Sequence, residues 1–185
     1  MTGPDVDGSA SCGSCGTELR APIPMSLRLP GADLLLNVGD WDGDGHGDMV
    51  VRNRKGALLL RLGDGTGSFG KARRIGTGFG GVDLLAPGGG KTGGGWPELK
   101  GQPRGGSMRI YPGRGGDGLG ESYVAHSAIT AQRQIGVGRW DDDGAPDTLL
   151  RSGGTLTLYR GNGPGGLTGG SRLGADLSRY DWVVG

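Results

Sequence analysis

Residues 40–48 read Asp-Trp-Asp-Gly-Asp-Gly-His-Gly-Asp, with carboxylates at loop positions 1, 3, 5 and 9. Four such groups converging on one small volume would repel each other strongly without a cation. Oxygen donors on a flexible loop suit Ca²⁺, which takes six to eight oxygens at about 2.3–2.6 Å. The pattern makes Asp40, Asp42, Asp44 and Asp48 candidate side-chain ligands. His46, at position 7, is a candidate through its backbone carbonyl. An ordinary polar turn also favours Asp and Gly. Alternation of acid and spacer over nine residues is far more specific than such a turn.

The loop needs elements to hold it. An EF-hand would supply a helix on each side and a bidentate Glu at position 12. Position 12 here is Arg52, and the flanks are Leu34-Leu35-Leu36-Asn37-Val38 and Met49-Val50-Val51-Arg52. Short apolar runs of this length read as strands. The expectation is a calcium loop joining two strands.

The loop recurs in weakened form. Gly138 to Asp147 aligns with Gly39 to Asp48, and Gly89 to Glu98 lies between them in the same frame. In the third copy Arg139 stands at position 1, a permanent cation in place of a carboxylate, expected to pair with Asp141 or Asp143. In the second copy Gly90, Thr92 and Gly94 stand at positions 1, 3 and 5. Both loops are therefore expected to bind calcium poorly or not at all. The preceding apolar runs repeat as well, at Asp33-Leu34-Leu35-Leu36, Asp83-Leu84-Leu85-Ala86 and Asp181-Trp182-Val183-Val184. A spacing of about 49–50 residues falls in the range of solenoids, propellers and arrays.

Each unit reads alike: a strand into the loop, a strand out of it (Met49 to Arg52; Thr148 to Arg151), then a glycine turn. A third strand follows, at Ala57 to Leu62, Ser107 to Tyr111 and Thr155 to Tyr159. Glycine loops come next (Gly63 to Phe69, Gly113 to Leu119, Gly161 to Leu167), then a short fourth strand such as Lys71 to Ile75. Four short antiparallel strands, repeated, describe a β-propeller blade.

The chain resembles the FG-GAP/VCBS-type repeat family, also found as integrin-alpha-like repeats. The residues that carry the resemblance are the acidic loop Asp40 to Asp48 and Gly63-Asp64-Gly65-Thr66-Gly67-Ser68-Phe69-Gly70. Arg109-Ile110-Tyr111-Pro112-Gly113 and Leu158-Tyr159-Arg160-Gly161 add to it. It covers residues 33–185, strongest in the first unit and weakest in the second. The resemblance implies calcium-binding propeller blades, mostly extracellular, that serve as scaffolds or as surfaces for proteins and glycans.

Composition sets outer limits. The chain has 185 residues, with 45 Gly and 10 Pro, about 30% together. Such a fraction alone would suggest disorder; the apolar runs at repeat spacing argue for folded units with a thin core. A net charge of +1 offers no long-range field for nucleic acid or an anionic membrane. No apolar stretch of membrane-spanning length occurs. Met1 to Gly16 lacks the apolar core of a signal peptide, so secretion would need a signal outside this sequence or another export route.

Other constellations carry less. Cys12-Gly13-Ser14-Cys15 lacks the βαβ setting of a redox motif and the two further ligands of a zinc site. It reads as a local disulfide or two free thiols. Gly90-Lys91-Thr92 resembles the end of a phosphate loop, but Leu85 stands where that pattern needs Gly. No nucleophile elbow occurs, and His126 beside Ser127 reads as a strand-end surface residue. Trp41 and Trp140, both at loop position 2, are expected to pack between blades.

The expectation is an all-β chain: a disordered tail over residues 1–18, then a partial β-propeller over 19–185. Its units are 33–82, 83–131 and 132–180, with a further unit starting at 181–185. The expected function is non-catalytic: a calcium-stabilised extracellular module for binding or display of an unknown protein or glycan. Nucleic acid and a membrane span are not expected. The alternatives are an accessory segment of a secreted hydrolase and a fragment without independent function. Three blades do not close a ring of the usual kind, so open edges predict self-association.

Overall fold

The computed structural model describes residues 27–92, 95–141, 143–163 and 166–180. Its regular structure is three four-stranded antiparallel sheets, each a simple meander in chain order. The first holds β1 (Ala32–Gly39), β2 (Asp48–Asn53), β3 (Leu58–Arg61) and β4 (Arg73–Gly76). A 3₁₀ turn at Phe79–Gly81 leads into the second: β5 (Val82–Thr92), β6 (Trp96–Pro103), β7 (Met108–Pro112) and β8 (Tyr123–His126). The third holds β9 (Arg133–Gly138), β10 (Asp147–Ser152), β11 (Thr155–Gly161) and β12 (Leu167–Asp176). The sequence expectations for residues 1–18, for Cys12 and Cys15 and for residues 181–185 lie outside the described residues.

Alternation along the strands decides which side chains are buried. On β3 Leu58 and Leu60 are fully buried while Leu59 and Arg61 are half-buried. Period-2 alternation sends successive side chains to opposite faces. Leu36, Val50, Leu58 and Leu60 of the first sheet form one core with Val82, Leu85 and Leu99 of the second. Leu84 and Met108 of the second sheet form another with Leu150 and Leu167 of the third. Each fully buried side chain of this size is worth about 1.5–3 kcal/mol.

The same device fastens each sheet to the chain segment that leaves it. At one register position of the second strand, Arg52 donates to the carbonyls of Phe79 (3.3 Å) and Val82 (2.6 Å). Gln102 at the equivalent position exchanges two 2.8 Å hydrogen bonds with the backbone of Ile129. Arg151 donates to the carbonyls of Leu177 and Tyr180. A long side chain reaching from the sheet satisfies backbone groups of the segment that leads onward from it.

The first strands of the sheets come together. A cavity of about 450 Å³ lies among their ends, lined by Val38 and Asp40, by Pro87, Glu98 and Gly89, and by Gly136 and Gly138.

Candidate metal centre

The acidic loop is wound by its own carboxylates. Gly39 leaves β1 at φ +67°, and the Asp40 carboxylate then accepts from the N–H groups of Gly43 (2.7 Å) and Gly45 (3.1 Å). Asp42 Oδ1 accepts weakly from Asp44 N–H at 3.4 Å, and Asp44 Oδ1 accepts from His46 N–H at 2.8 Å. Such local side-chain to backbone bonds are why Asp suits tight turns. Asp48 opens β2 and is only 2% exposed. Its Oδ2 accepts from Trp41 N–H at 2.7 Å and its Oδ1 from Gly63 N–H at 2.8 Å. One carboxylate thus ties the loop's start to the turn beyond β3.

The loop brings Asp40, Asp42 and Asp48 together: one carboxylate oxygen from each lies within 4.8 Å of the others. Oxygens that share a Ca²⁺ at 2.3–2.6 Å lie within about 5 Å of one another, so this spacing fits the ion. Each of these oxygens still has lone-pair capacity beyond the N–H it accepts. Burial pushes the Asp48 carboxyl above the usual carboxylate range, and the charges of Asp42 and Asp44 push the same way. The backbone bonds from Gly63 and Trp41 act against that rise. A divalent cation would offset both the burial and the repulsion. Asp44 is exposed and stands outside the triad. The His46 imidazole covers Gly65, where an added Cβ would lie 2.6 Å from the ring.

The third loop keeps the same tie through its position-9 acid. Asp147 Oδ2 accepts from Trp140 N–H (2.7 Å) and Asp141 N–H (3.3 Å), and its Oδ1 from Gly161 N–H (2.8 Å). Among the described residues no second acidic group of metal-binding geometry occurs. The expected pairing of Arg139 with Asp141 or Asp143 does not occur among the ion pairs of the described residues; Asp141 instead meets Arg160 of β11 at 3.1 Å. The guanidinium that meets this carboxylate comes from a neighbouring strand, which sequence spacing does not show. In the second sheet the ladder runs on: Lys91 pairs with Pro97 and Thr92 with Trp96.

The position-9 acid is present in all three units, as Asp48, Glu98 and Asp147, all at most 2% exposed. It persists where position 1 carries Gly90 or Arg139 in place of an acid, and that persistence is the sequence signal for this tie. Sequence reasoning also passed over Lys100, which stands where Val50 and Leu149 stand in the other sheets. Lys100 is 1% exposed, and its Nζ donates to the Pro146 carbonyl of the third sheet at 2.8 Å. Burial pushes its pKa down to about 8, against the favourable charges of Glu98 and Asp147.

That shift has a sign. Between about pH 8 and the ordinary value of 10.5 the unfolded chain binds the Lys100 proton and the folded chain does not. Stability therefore rises with pH across that window. Relative to Lys100→Met, the wild-type protein should gain about 2 kcal/mol between pH 7.5 and pH 10. Urea unfolding of both proteins at the two pH values measures it. A difference independent of pH would show that the ammonium is not buried as described.

His126 ends β8 half-buried, with its ring edge-on to Tyr159 at 5.7 Å and its Nδ1 3.0 Å from the Ser127 carbonyl oxygen. Its surroundings are those of a packing residue. Trp41 and Trp140 part company: Trp41 is fully buried against the second sheet, whereas Trp140 is 54% exposed. Comparison with known proteins found no matching protein family and no matching curated protein. No helix among the described residues is long and apolar enough to cross a membrane.

Proposed function

We propose that the chain is a non-catalytic, calcium-stabilised binding or display module built from β-propeller blades of the FG-GAP/VCBS type, acting outside the cell. The observation that carries the calcium reading is the triad of Asp40, Asp42 and Asp48 within 4.8 Å. Asp44 and the carbonyl of His46 are the further donors the loop offers, and solvent can supply the rest. The ion would neutralise the loop and brace the turns that Asp48 joins. The propeller reading is supported by three meandering four-stranded sheets whose first strands converge around one cavity. Extracellular calcium at millimolar levels suits a site of this kind.

The test is calorimetric titration with Ca²⁺. One binding event is expected, with a dissociation constant of about 10⁻⁴ M or weaker, as in extracellular modules. Asp42→Ala should abolish it and Asp44→Ala should weaken it. At roughly a hundred times that constant, calcium should raise the unfolding free energy by about 2.7 kcal/mol. Saturable binding that survives Asp42→Ala would remove the site from this loop, and more than one tight ion per chain would contradict the reading of the second and third loops.

A further inference from the structure

We propose that the seam between the second and third sheets is a closed polar site that holds internal water on Lys100, Gln134 and Thr148. The inference rests on the stacking of sheets within the chain and goes beyond the calcium reading.

The two seams are built from equivalent positions and differ at three of them together. In the frame that aligns Asp48, Glu98 and Asp147, the seam between the first and second sheets takes Val50 from one side and Leu85 and Leu99 from the other. All three are buried in one apolar core. In the next seam the same three positions carry Lys100, Gln134 and Thr148. The strand pairings agree: Pro87 pairs with Leu99 as Gly136 pairs with Thr148, and Leu85 pairs with Gly101 as Gln134 pairs with Leu150. These polar groups are not at the surface. Lys100 and Thr148 are at most 1% exposed, and the amide atoms of Gln134 are shut off from solvent.

Their hydrogen-bonding capacity is not used up. The Lys100 ammonium has three N–H groups. One of them meets the Pro146 carbonyl at 2.8 Å, two residues from Thr148. Among the described residues the Thr148 hydroxyl and both amide atoms of Gln134 meet no hydrogen-bond partner. Buried polar groups of folded proteins are bonded to protein or to ordered water, because leaving them unmet is costly.

The chemistry selects water. Ammonium and amide N–H groups donate, the amide oxygen accepts, and the hydroxyl does either. Water matches such a mixed set and makes about three bonds when buried. An anion would meet the amide oxygen and the charges of Glu98 and Asp147, both of which act on Lys100. A metal cation would meet the ammonium. Room comes from the same comparison. Leu36, paired with Val50 in the first sheet, becomes the shorter Ala86, paired with Lys100 in the second.

The test is magnetic relaxation dispersion of the solvent, which counts waters held inside the intact chain, together with urea unfolding. Gln134→Leu combined with Thr148→Val makes this seam apolar like its neighbour. It should remove about one long-lived water, with the folding constant within about threefold of wild type. Each single substitution should lower that constant by about tenfold, because the remaining group and the water are each left a bond short. Thr148→Ser keeps the hydroxyl and should keep the water. A double variant that retains the full water count, or loss of the water in Thr148→Ser, would overturn the proposal. So would a double variant that fails to fold, or one whose effect equals the sum of the single effects, since protein groups rather than a shared water would then bond Gln134 and Thr148.

Discussion

Asp147→Ala is expected to lower the unfolding free energy by about 3–6 kcal/mol, equally with and without calcium. The carboxylate is fully buried and accepts three backbone N–H groups, from Trp140, Asp141 and Gly161. Alanine would strand all three, and a buried donor left unmet costs about 1–3 kcal/mol. The charge also faces Lys100 across the boundary between the second and third sheets. Asp48→Ala should be similarly severe, since its carboxylate holds Trp41 and Gly63. Its effect, unlike that of Asp147→Ala, should grow when calcium is added to the comparison, because the variant loses the ion as well. Urea unfolding in chelator and in excess calcium separates the two behaviours. A loss below about 1 kcal/mol for Asp147→Ala would mean that solvent reaches those N–H groups and the tie is not structural.

Gly113→Ala is the second severe change, with an expected cost of about 3 kcal/mol or more. A Cβ there would lie 2.1 Å from the Pro97 carbonyl oxygen and 2.9 Å from the Trp41 ring. Neither can yield easily: one is backbone within the second sheet, the other a fully buried indole. The same approach recurs at Gly63, 2.2 Å from the Gly47 oxygen, and at Gly161, 2.5 Å from the Pro146 oxygen. These glycines let the turn after the third strand close down on the residue before the position-9 acid. Gly70→Ala is the control: the nearest atom outside its own neighbours is 3.6 Å away, an ordinary contact, so its effect should be small. Thermal melts of the four variants would decide the matter. A Gly113→Ala protein as stable as Gly70→Ala would show that the close approach carries no constraint.

The proposed calcium site and the contact between the first and second sheets meet at one loop. Asp40 and Asp42 lie on either side of Trp41, whose indole Nε1 donates to the Gly115 carbonyl of the second sheet. Ordering the acidic loop would therefore also order the contact between first and second sheets. In the third loop Asp147 and the Arg160–Asp141 ion pair hold the backbone.

Much of this was legible from residues in order. Strands follow from alternation: the side chains at Leu58 and Leu60 point one way because the period of an extended chain is two. The acid-spacer rhythm of Asp40 to Asp48 is local chemistry, so its loop could be located without coordinates. The 49–50 residue recurrence likewise marks units, because each needs the same sequence of strand and turn. What depends on distant approach was not legible. Asp44 has the same spacing as its neighbours, yet only Asp40, Asp42 and Asp48 converge, because the loop's own hydrogen bonds turn Asp44 toward His46 N–H. Arg160 rather than Arg139 meets Asp141, because strand pairing sets which side chains lie close. Lys100 reads as a surface residue on any composition scale; only the stacking of the third sheet on the second buries it. Trp41 and Trp140 share one local motif and opposite exposures. Local sequence determined where each indole begins, and the presence of a neighbouring sheet decided whether it is covered, since burial belongs to the surfaces that meet and not to the residue.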